Sequence, residues 1–207
     1  MRKTKIICTI GPASENAETL KKMCQAGMNV ARLNFSHGTH EEQQNKINLI
    51  KQVRKELGLP LAIMLDTKGP EYRIRTFKDG KVHVNAGDKF TFTVDEVEGD
   101  EKRVSVNYKG LVKDLSVGDK ILVNNGLVVF EVEELKGSNA NCVCLVGGDL
   151  SNRKSMSFPN KVMTGPFLSE ADKQDLLFGI ETGFDFVAAS FVRTAEDVGE
   201  MRRFLEE

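Results

Sequence analysis

The amino-acid sequence predicts an α/β protein with a parallel sheet, interrupted by a separate all-β module. Apolar, β-branched segments alternate with helix-forming segments near both ends of the 207-residue chain. This alternation is typical of parallel sheets, in which a crossover helix joins successive strands. Between about Gly69 and Met163 the chain contains only short β segments separated by Gly, Asn and Asp. That pattern favours a small antiparallel barrel or sandwich.

Three strands and two helices are predicted before the module. The third strand is a nearly continuous apolar run, as a strand buried on both faces would be. The second helix begins at Thr39, whose hydroxyl and Glu42 form a capping box, and Gly58 is its expected C-cap. The predicted strands cover residues 3–10, 29–35 and 61–66, and the helices cover 16–26 and about 40–57.

The α/β pattern resumes after the module with a helix, a strand and a helix. Ser169 and Asp172 cap the first of these helices, DFVAASFV at 185–192 is a buried strand, and Thr194 begins the last helix. The module is therefore inserted at the carboxyl end of the third strand. In barrels that end carries the active site, and an insertion there can close over a substrate as a lid.

Charge and hydropathy exclude two classes of partner. The chain has 29 basic and 30 acidic residues and a net charge of -1, so neither nucleic acid nor a membrane surface is an expected partner. No apolar stretch has the length of a spanning helix, and the first residues, MRKTKIICTIGP, do not form a signal peptide. An anionic substrate must then be attracted by local geometry.

Four cysteines bear on compartment and metal binding. Cys142 and Cys144 share one face of a predicted strand, and such a pair can suggest a metal site. No second pair or nearby His completes a tetrahedral set. We therefore interpret Cys8, Cys24, Cys142 and Cys144 as reduced thiols, which predicts a cytoplasmic location.

Two polar segments follow strands and are candidates for binding. In NVARLNFSHG, Arg32, Asn34 and Ser36 alternate and point to one side of the strand end. An Arg there suits an anion, and the Asn and Ser oxygens suit a hard cation. From spacing alone, an Arg paired with a carboxylate explains the pattern equally well. The second segment, LDTKGPEYR at 65–73, reads by itself as a charged turn with a Gly-Pro hinge.

Taken together, these segments resemble the pyruvate kinase family. CTIGPAS, NVARLNFSHG, LDTKGPEYR, SEADKQDLLFG and DFVAASFVRTAEDV all match its signatures, in order, across essentially the whole chain. The resemblance implies the N-terminal half of a (β/α)8 TIM-type barrel with a small β-barrel lid inserted after strand 3. The expected ranges are 1–68 and 165–207 for the two parts of the barrel domain, and 69–164 for the lid.

The resemblance also implies roles for individual residues. Arg32 would contact the phosphate of phosphoenolpyruvate and, with Arg73, act in catalysis. Arg73 and Lys154 would bind nucleotide phosphates, and His37 would lie in the nucleotide region, although a histidine at a helix start is often only solvated. Glu71 suggests dependence on potassium. The implied potassium ligands are Asn34, Ser36, Asp66 and Thr67.

The implied activity belongs to a longer protein than this chain. Pyruvate kinases transfer phosphoryl from phosphoenolpyruvate to ADP with K+ and Mg2+, and the magnesium ligands of the family follow the last strand seen here. We therefore expect a fragment that is inactive alone, from a homo-oligomeric enzyme, with a tetrameric parent and a fragment able to form a dimer. The alternative is a non-catalytic short paralogue that binds a phosphometabolite or a protein partner.

The chain departs from the family pattern at two places in the module. Asn124-Asn125-Gly126 stands where the family often has Asp-Asp-Gly, which changes the charge of the lid. Ser155 stands where a glycine is usual, which removes backbone freedom at the returning hinge.

Overall fold

The computed structural model describes residues 3–206, in two compact units. One unit contains the residues up to Pro70 together with those from Phe167 onward, and the other is Glu71–Pro166. The sequence predicted these boundaries at 68/69 and 164/165. The predicted barrel ranges also include Met1, Arg2 and Glu207, which lie outside the described residues.

Eighteen helices and strands are present in the described residues. In chain order they are β1 (Ile7–Thr9), α1 (Ala17–Ala26), β2 (Val30–Asn34), α2 (His40–Leu57), β3 (Ala62–Asp66), β4 (Tyr72–Arg73), β5 (Lys81–Val84), β6 (Lys89–Thr93), β7 (Arg103–Ser105), α3 (Leu111–Asp114), β8 (Lys120–Val123), β9 (Val128–Lys136), β10 (Asn139–Val146), β11 (Gly148–Ser151), β12 (Ser155–Ser157), α4 (Glu170–Thr182), β13 (Phe186–Ala188) and α5 (Ala195–Glu206).

The first unit is built on a four-stranded parallel sheet with the order β1-β2-β3-β13. The predicted α/β class is thus confirmed. The pairing aligns Asn34 with Asp66 and Asp66 with Ala188. The carboxyl ends of β2, β3 and β13 therefore meet at one edge of the sheet, together with the residues that follow them.

The helix ends form as their sequences predict. Thr39 and Glu42 make the reciprocal capping box of α2, and Gly58 ends that helix in the left-handed region at φ 59°. Ser169 and Asp172 cap α4 in the same reciprocal way. These local hydrogen bonds satisfy backbone groups that a helix terminus leaves free, so they fix where each helix starts and stops.

The core of this unit lies between the helices and one face of the sheet. Ile47, Ile50 and Val53 of α2 are fully buried, as are Ile63 and Leu65 of β3. The expectation that β3 is buried on both faces is wrong, because Ala62 and Met64 on its other face are only half-buried. Met64 on that second face lies opposite Arg32 of β2.

The second unit contains a seven-stranded sheet with the order β4-β12-β8-β9-β10-β6-β7 and a separate β11-β5 pair. Its core is centred on Phe90, Phe92 and Phe130, whose ring centroids lie 5.0–5.4 Å apart. The antiparallel expectation is wrong for one pair, since β6 and β7 run parallel. The connection over residues 94–102 folds back before β7 begins, so the two strands run in the same direction.

Across the described part of the chain, no helix combines the length and the apolar character needed to cross a bilayer.

Candidate functional site

The polar corner of the first unit lies where β2, β3 and β13 end. Along β2 the side chains of Arg32 and Asn34 are half-buried, whereas those of Ala31 and Leu33 are buried. This alternation sends the polar side chains to the face opposite the helical core. Ser36 continues the half-buried series beyond the strand.

Arg32 and Asp66 form an ion pair across adjacent strands. Arg32 Nε donates to Asp66 Oδ2 at 2.7 Å, and a terminal nitrogen of the same guanidinium donates to the same oxygen. The other terminal nitrogen donates to Thr9 Oγ1. Asp66 is only 8% exposed, and a buried carboxylate requires such compensation. This is the Arg–carboxylate pairing that the sequence left open.

Ser190, just after β13, holds the remaining oxygen of Asp66. Its Oγ donates to Asp66 Oδ1 at 2.8 Å, and its backbone N–H donates to Thr67 Oγ1 at 3.1 Å. Thr67 is 2% exposed and donates its own N–H to the Ala188 carbonyl at 3.1 Å. Ser190 has no signature in the sequence, because 124 residues separate it from Asp66 and no spacing pattern indicates that contact.

The segment after β2 is fixed by a buried glutamine. Gln43 Nε2 donates to the backbone carbonyls of Asn34 at 3.1 Å and His37 at 2.9 Å. Asn34 Oδ1 in turn accepts the Ser36 N–H at 2.9 Å. Gln43 is 2% exposed, and its Oε1 has no hydrogen-bond partner among the described residues. Gln43 of α2 therefore fixes the backbone of the segment that carries Ser36 and His37.

A groove of about 730 Å³ opens beside this segment. Its wall includes Asn34, exposed His37, Gly38 and the ion pair of Lys46 with Glu15, whose charged atoms lie 3.0 Å apart. Both signs of charge and the start of α2 line the groove, so its chemistry suits a polar ligand.

The donor set at the corner fits a hard monovalent cation. Asn34, Ser36, Asp66 and Thr67 offer an amide oxygen, two hydroxyls, backbone carbonyls and one carboxylate, with a single formal negative charge. Hard alkali cations prefer oxygen ligands of this kind. Within residues 3–206, no cluster of three or more His, Cys, Asp or Glu side chains could hold a metal ion.

Arg73 and Lys154 are neighbours within the second unit. Arg73 lies opposite Ser155 in the β4–β12 pair, and its guanidinium binds the Glu71 carboxylate and the Arg153 carbonyl, the latter at 2.6 Å. The Lys154 carbonyl accepts the Ile74 N–H at 3.0 Å. Both basic side chains therefore start from the same end of the sheet, and Glu71 orients one of them.

The sequence of this unit departs from the expected pattern at Asn124-Asn125 and at Ser155, and the structure gives the backbone conformation at both places. Asn124 and Asn125 both adopt left-handed conformations, at φ 55° and 57°, in the turn between β8 and β9. Asparagine tolerates that region better than other residues with a side chain. The hinge expectation for Ser155 is wrong, because this residue lies in the extended strand β12. Asn160 also adopts a left-handed conformation, at φ 60°.

All four cysteines are free thiols. Cys142 and Cys144 are buried on one face of β10, Cys24 is buried in α1, and Cys8 is half-buried. Burial raises the pKa of Cys142 to about 12. The reduced-thiol interpretation stays a prediction, and the four sulfurs lie in or against the two cores.

Comparison with known proteins identifies the family. The family model described as pyruvate kinase, barrel domain, matches residues 1–207. The chain belongs to the pyruvate kinase family. It is 46% identical over 209 residues to the pyruvate kinases of Staphylococcus aureus strains USA300, NCTC 8325 and COL. These alignments cover the whole chain and 36% of each relative, so the chain spans about a third of the length of the pyruvate kinases that it matches.

Proposed function

We propose that this chain supplies the phosphate-binding and potassium-binding corner of a pyruvate kinase, which transfers phosphoryl from phosphoenolpyruvate to ADP, giving pyruvate and ATP. The observation that carries the proposal is the Arg32–Asp66–Ser190 arrangement at the strand ends, where a basic fork and several oxygen donors converge. Phosphoryl transfer depends mainly on such positioning and on neutralising charge at the transferred group.

Arg32 is suited to receive the phosphate. Its guanidinium is planar, permanently charged and able to donate two parallel hydrogen bonds to phosphate oxygens. The side chain is 32% exposed, so a ligand can reach it from the open face of the sheet. Asp66 and Thr9 hold the fork in place beforehand, which lowers the entropic cost of binding.

Asn34, Ser36, Asp66 and Thr67 are the proposed potassium ligands. A bound K+ would add one positive charge near the phosphate. Asp66 is the one anionic side chain of the four, so it would contribute most to the affinity of the site. The proposed roles of Arg73, Lys154 and His37 are contacts with the nucleotide, and Glu71 would orient Arg73.

The remaining proposals concern the complete enzyme. Residues 71–166 would act as a lid on a TIM-type barrel, the magnesium ligands would come from the segment that follows in the relatives, and the enzyme would be a cytoplasmic homo-oligomer. Without magnesium ligands the largest electrostatic contribution to catalysis is lost. A lactate-dehydrogenase-coupled assay of the isolated chain should therefore show no turnover.

A direct test is titration of the purified chain with thallium(I), a potassium mimic observable by 205Tl NMR. Binding that K+ displaces more effectively than Na+ is the expected result, and Asp66→Asn should abolish it. Glu56→Gln is the matched control, because Glu56 is a surface carboxylate paired with Lys21 in the same unit. Absence of thallium binding, or equal binding by Asp66→Asn, would contradict the proposal.

A further inference from the structure

The turn after β13 is held in an unusual conformation. Phe191, directly after Ser190, has φ 60° although it carries a bulky side chain. Such residues rarely adopt the left-handed region, and they do so where the surrounding structure enforces it. The Phe191 side chain is 54% exposed, so burial of the ring does not explain the strain.

Ser190, the residue before Phe191, is bound to the end of β3 and to the residue that follows it. Ser190 uses both of its donors on residues at the end of β3, with Oγ on Asp66 and N–H on Thr67. Its carbonyl oxygen packs against the backbone of Gly69. The strained turn therefore places one serine against three residues of the same chain segment, namely Asp66, Thr67 and Gly69.

The two oxygens of Asp66 have different partners. Arg32 binds only Oδ2, through Nε and a terminal nitrogen, while Ser190 binds Oδ1. A guanidinium and a carboxylate prefer a two-oxygen fork when nothing prevents it. Such a fork would require the Asp66 carboxylate to rotate until both oxygens face Arg32. The hydrogen bond from Ser190 Oγ to Oδ1 opposes that rotation.

We infer that Ser190 is a positioning residue for the potassium site, an inference that rests on the function proposed above. By fixing Oδ1 of Asp66, it keeps one anionic oxygen at the strand ends instead of letting the guanidinium take both. By fixing the hydroxyl of Thr67, it also sets the spacing between Thr67 and Asp66. Loss of the Ser190 hydroxyl releases the carboxylate toward Arg32 and weakens cation binding.

The test compares three variants of the whole chain by 205Tl NMR titration. Ser190→Ala should bind thallium(I) about tenfold more weakly, the effect of one hydrogen bond to a charged group. Ser190→Thr keeps the hydroxyl and should stay within about threefold of the parent. Thr182→Val is the matched control, since its hydroxyl donates to the Phe178 carbonyl at 2.6 Å in the same unit and does not contact Asp66. It should bind thallium as the parent does.

The outcomes separate this inference from the proposed function. If the parent binds thallium and Ser190→Ala binds it equally well, the positioning role is overturned while the cation site stands. If the parent itself does not bind, both are overturned. Urea unfolding of each variant accompanies the titration. Should Ser190→Ala fail to fold, Ser190→Cys, which replaces the hydroxyl by a weak thiol donor, must show the same weakening for the inference to survive.

Discussion

A methyl group on the Cα of Gly69 would lie 2.5 Å from the carbonyl oxygen of Ser190. The segments that follow β3 and β13 are thus in backbone contact at that glycine, which also adopts φ 64°. Its N–H donates to the Asp172 carboxylate at 3.0 Å, so the same residue joins the end of β3 to the start of α4.

Gly69→Ala should destabilise the first unit by more than a left-handed alanine alone does. The conformational penalty is about 1–2 kcal/mol, and the clash with Ser190 adds to it because a carbonyl of the backbone cannot move aside. The total expected is roughly 3 kcal/mol, measured by urea unfolding. Gly58→Ala is the control, with φ 59° and nothing within 4 Å of its Cβ. An equal loss of unfolding free energy in the two variants would show that the contact of Gly69 with the Ser190 carbonyl does not contribute.

Asp197→Asn should remove a stability contribution that depends on pH. Hydrogen bonds from the Arg193 side chain hold the pKa of Asp197 below its usual value, with backbone N–H groups assisting. A lowered folded pKa means that the carboxylate stabilises the fold above its unfolded pKa of about 3.9, and that this is lost as pH falls through the folded value.

The parent and Asp197→Asn should therefore differ by about 1–2 kcal/mol between pH 6 and pH 8, with a gap that closes below about pH 4. Thermal or urea unfolding across that range measures it. Glu196→Gln, which alters an exposed pair with Arg203 on the same helix, should leave unfolding nearly unchanged. A gap that persists undiminished at pH 3 would show that the charge of Asp197 is not the cause.

Thiol modification should distinguish Cys8 from the buried cysteines. With a pKa of about 12, Cys142 has a thiolate fraction of only about 10⁻⁴ at pH 8. Iodoacetamide should therefore label half-buried Cys8 first, and Cys142 and Cys144 only after unfolding, as read by mass spectrometry of the peptides. In Cys8→Ser the fast phase should disappear. Rapid labelling of Cys142 in the folded chain would contradict the burial.

The isolated chain should self-associate through the edges of its parallel sheet. Among the described strands, β1 and β13 each have one neighbour, and Ile7 and Phe186 on them are 52% and 53% exposed. Unpaired apolar edges promote association between chains. Light scattering on a size-exclusion column should show mass above the monomer at tens of micromolar. Phe186→Lys should reduce it, whereas Val117→Lys, at an exposed site of the other unit, should not.

Much of the local structure could be predicted from sequence because short-range chemistry determines it. The capping boxes at Thr39 and Ser169 and the glycine at position 58 fix the helix ends through contacts within four residues. The alternation of Arg32 and Asn34 with buried neighbours follows from strand geometry alone. These features need no knowledge of the rest of the chain.

Contacts between distant segments could not be predicted in this way. Neither the bond from Ser190 to Asp66 nor the parallel pairing of β6 with β7 has a signature in local spacing. The strand after α4 was expected over 185–192 but ends at Ala188, because the chain then turns so that Ser190 reaches β3. Apolar composition alone did not reveal that turn.

The ring of Tyr108 has a consequence for how the polypeptide reaches its native state. It packs against Tyr72 near the start of the second unit and against Gly165 near its end, so the two ends of an insert of about a hundred residues lie close together. Closing an open loop costs about 0.6 kcal/mol more for each doubling of its length. Once the insert has folded, β3 and α4 are connected as if by a short loop, which saves roughly 2 kcal/mol of chain entropy. Early folding of the inserted unit would thus accelerate assembly of the sheet that it interrupts.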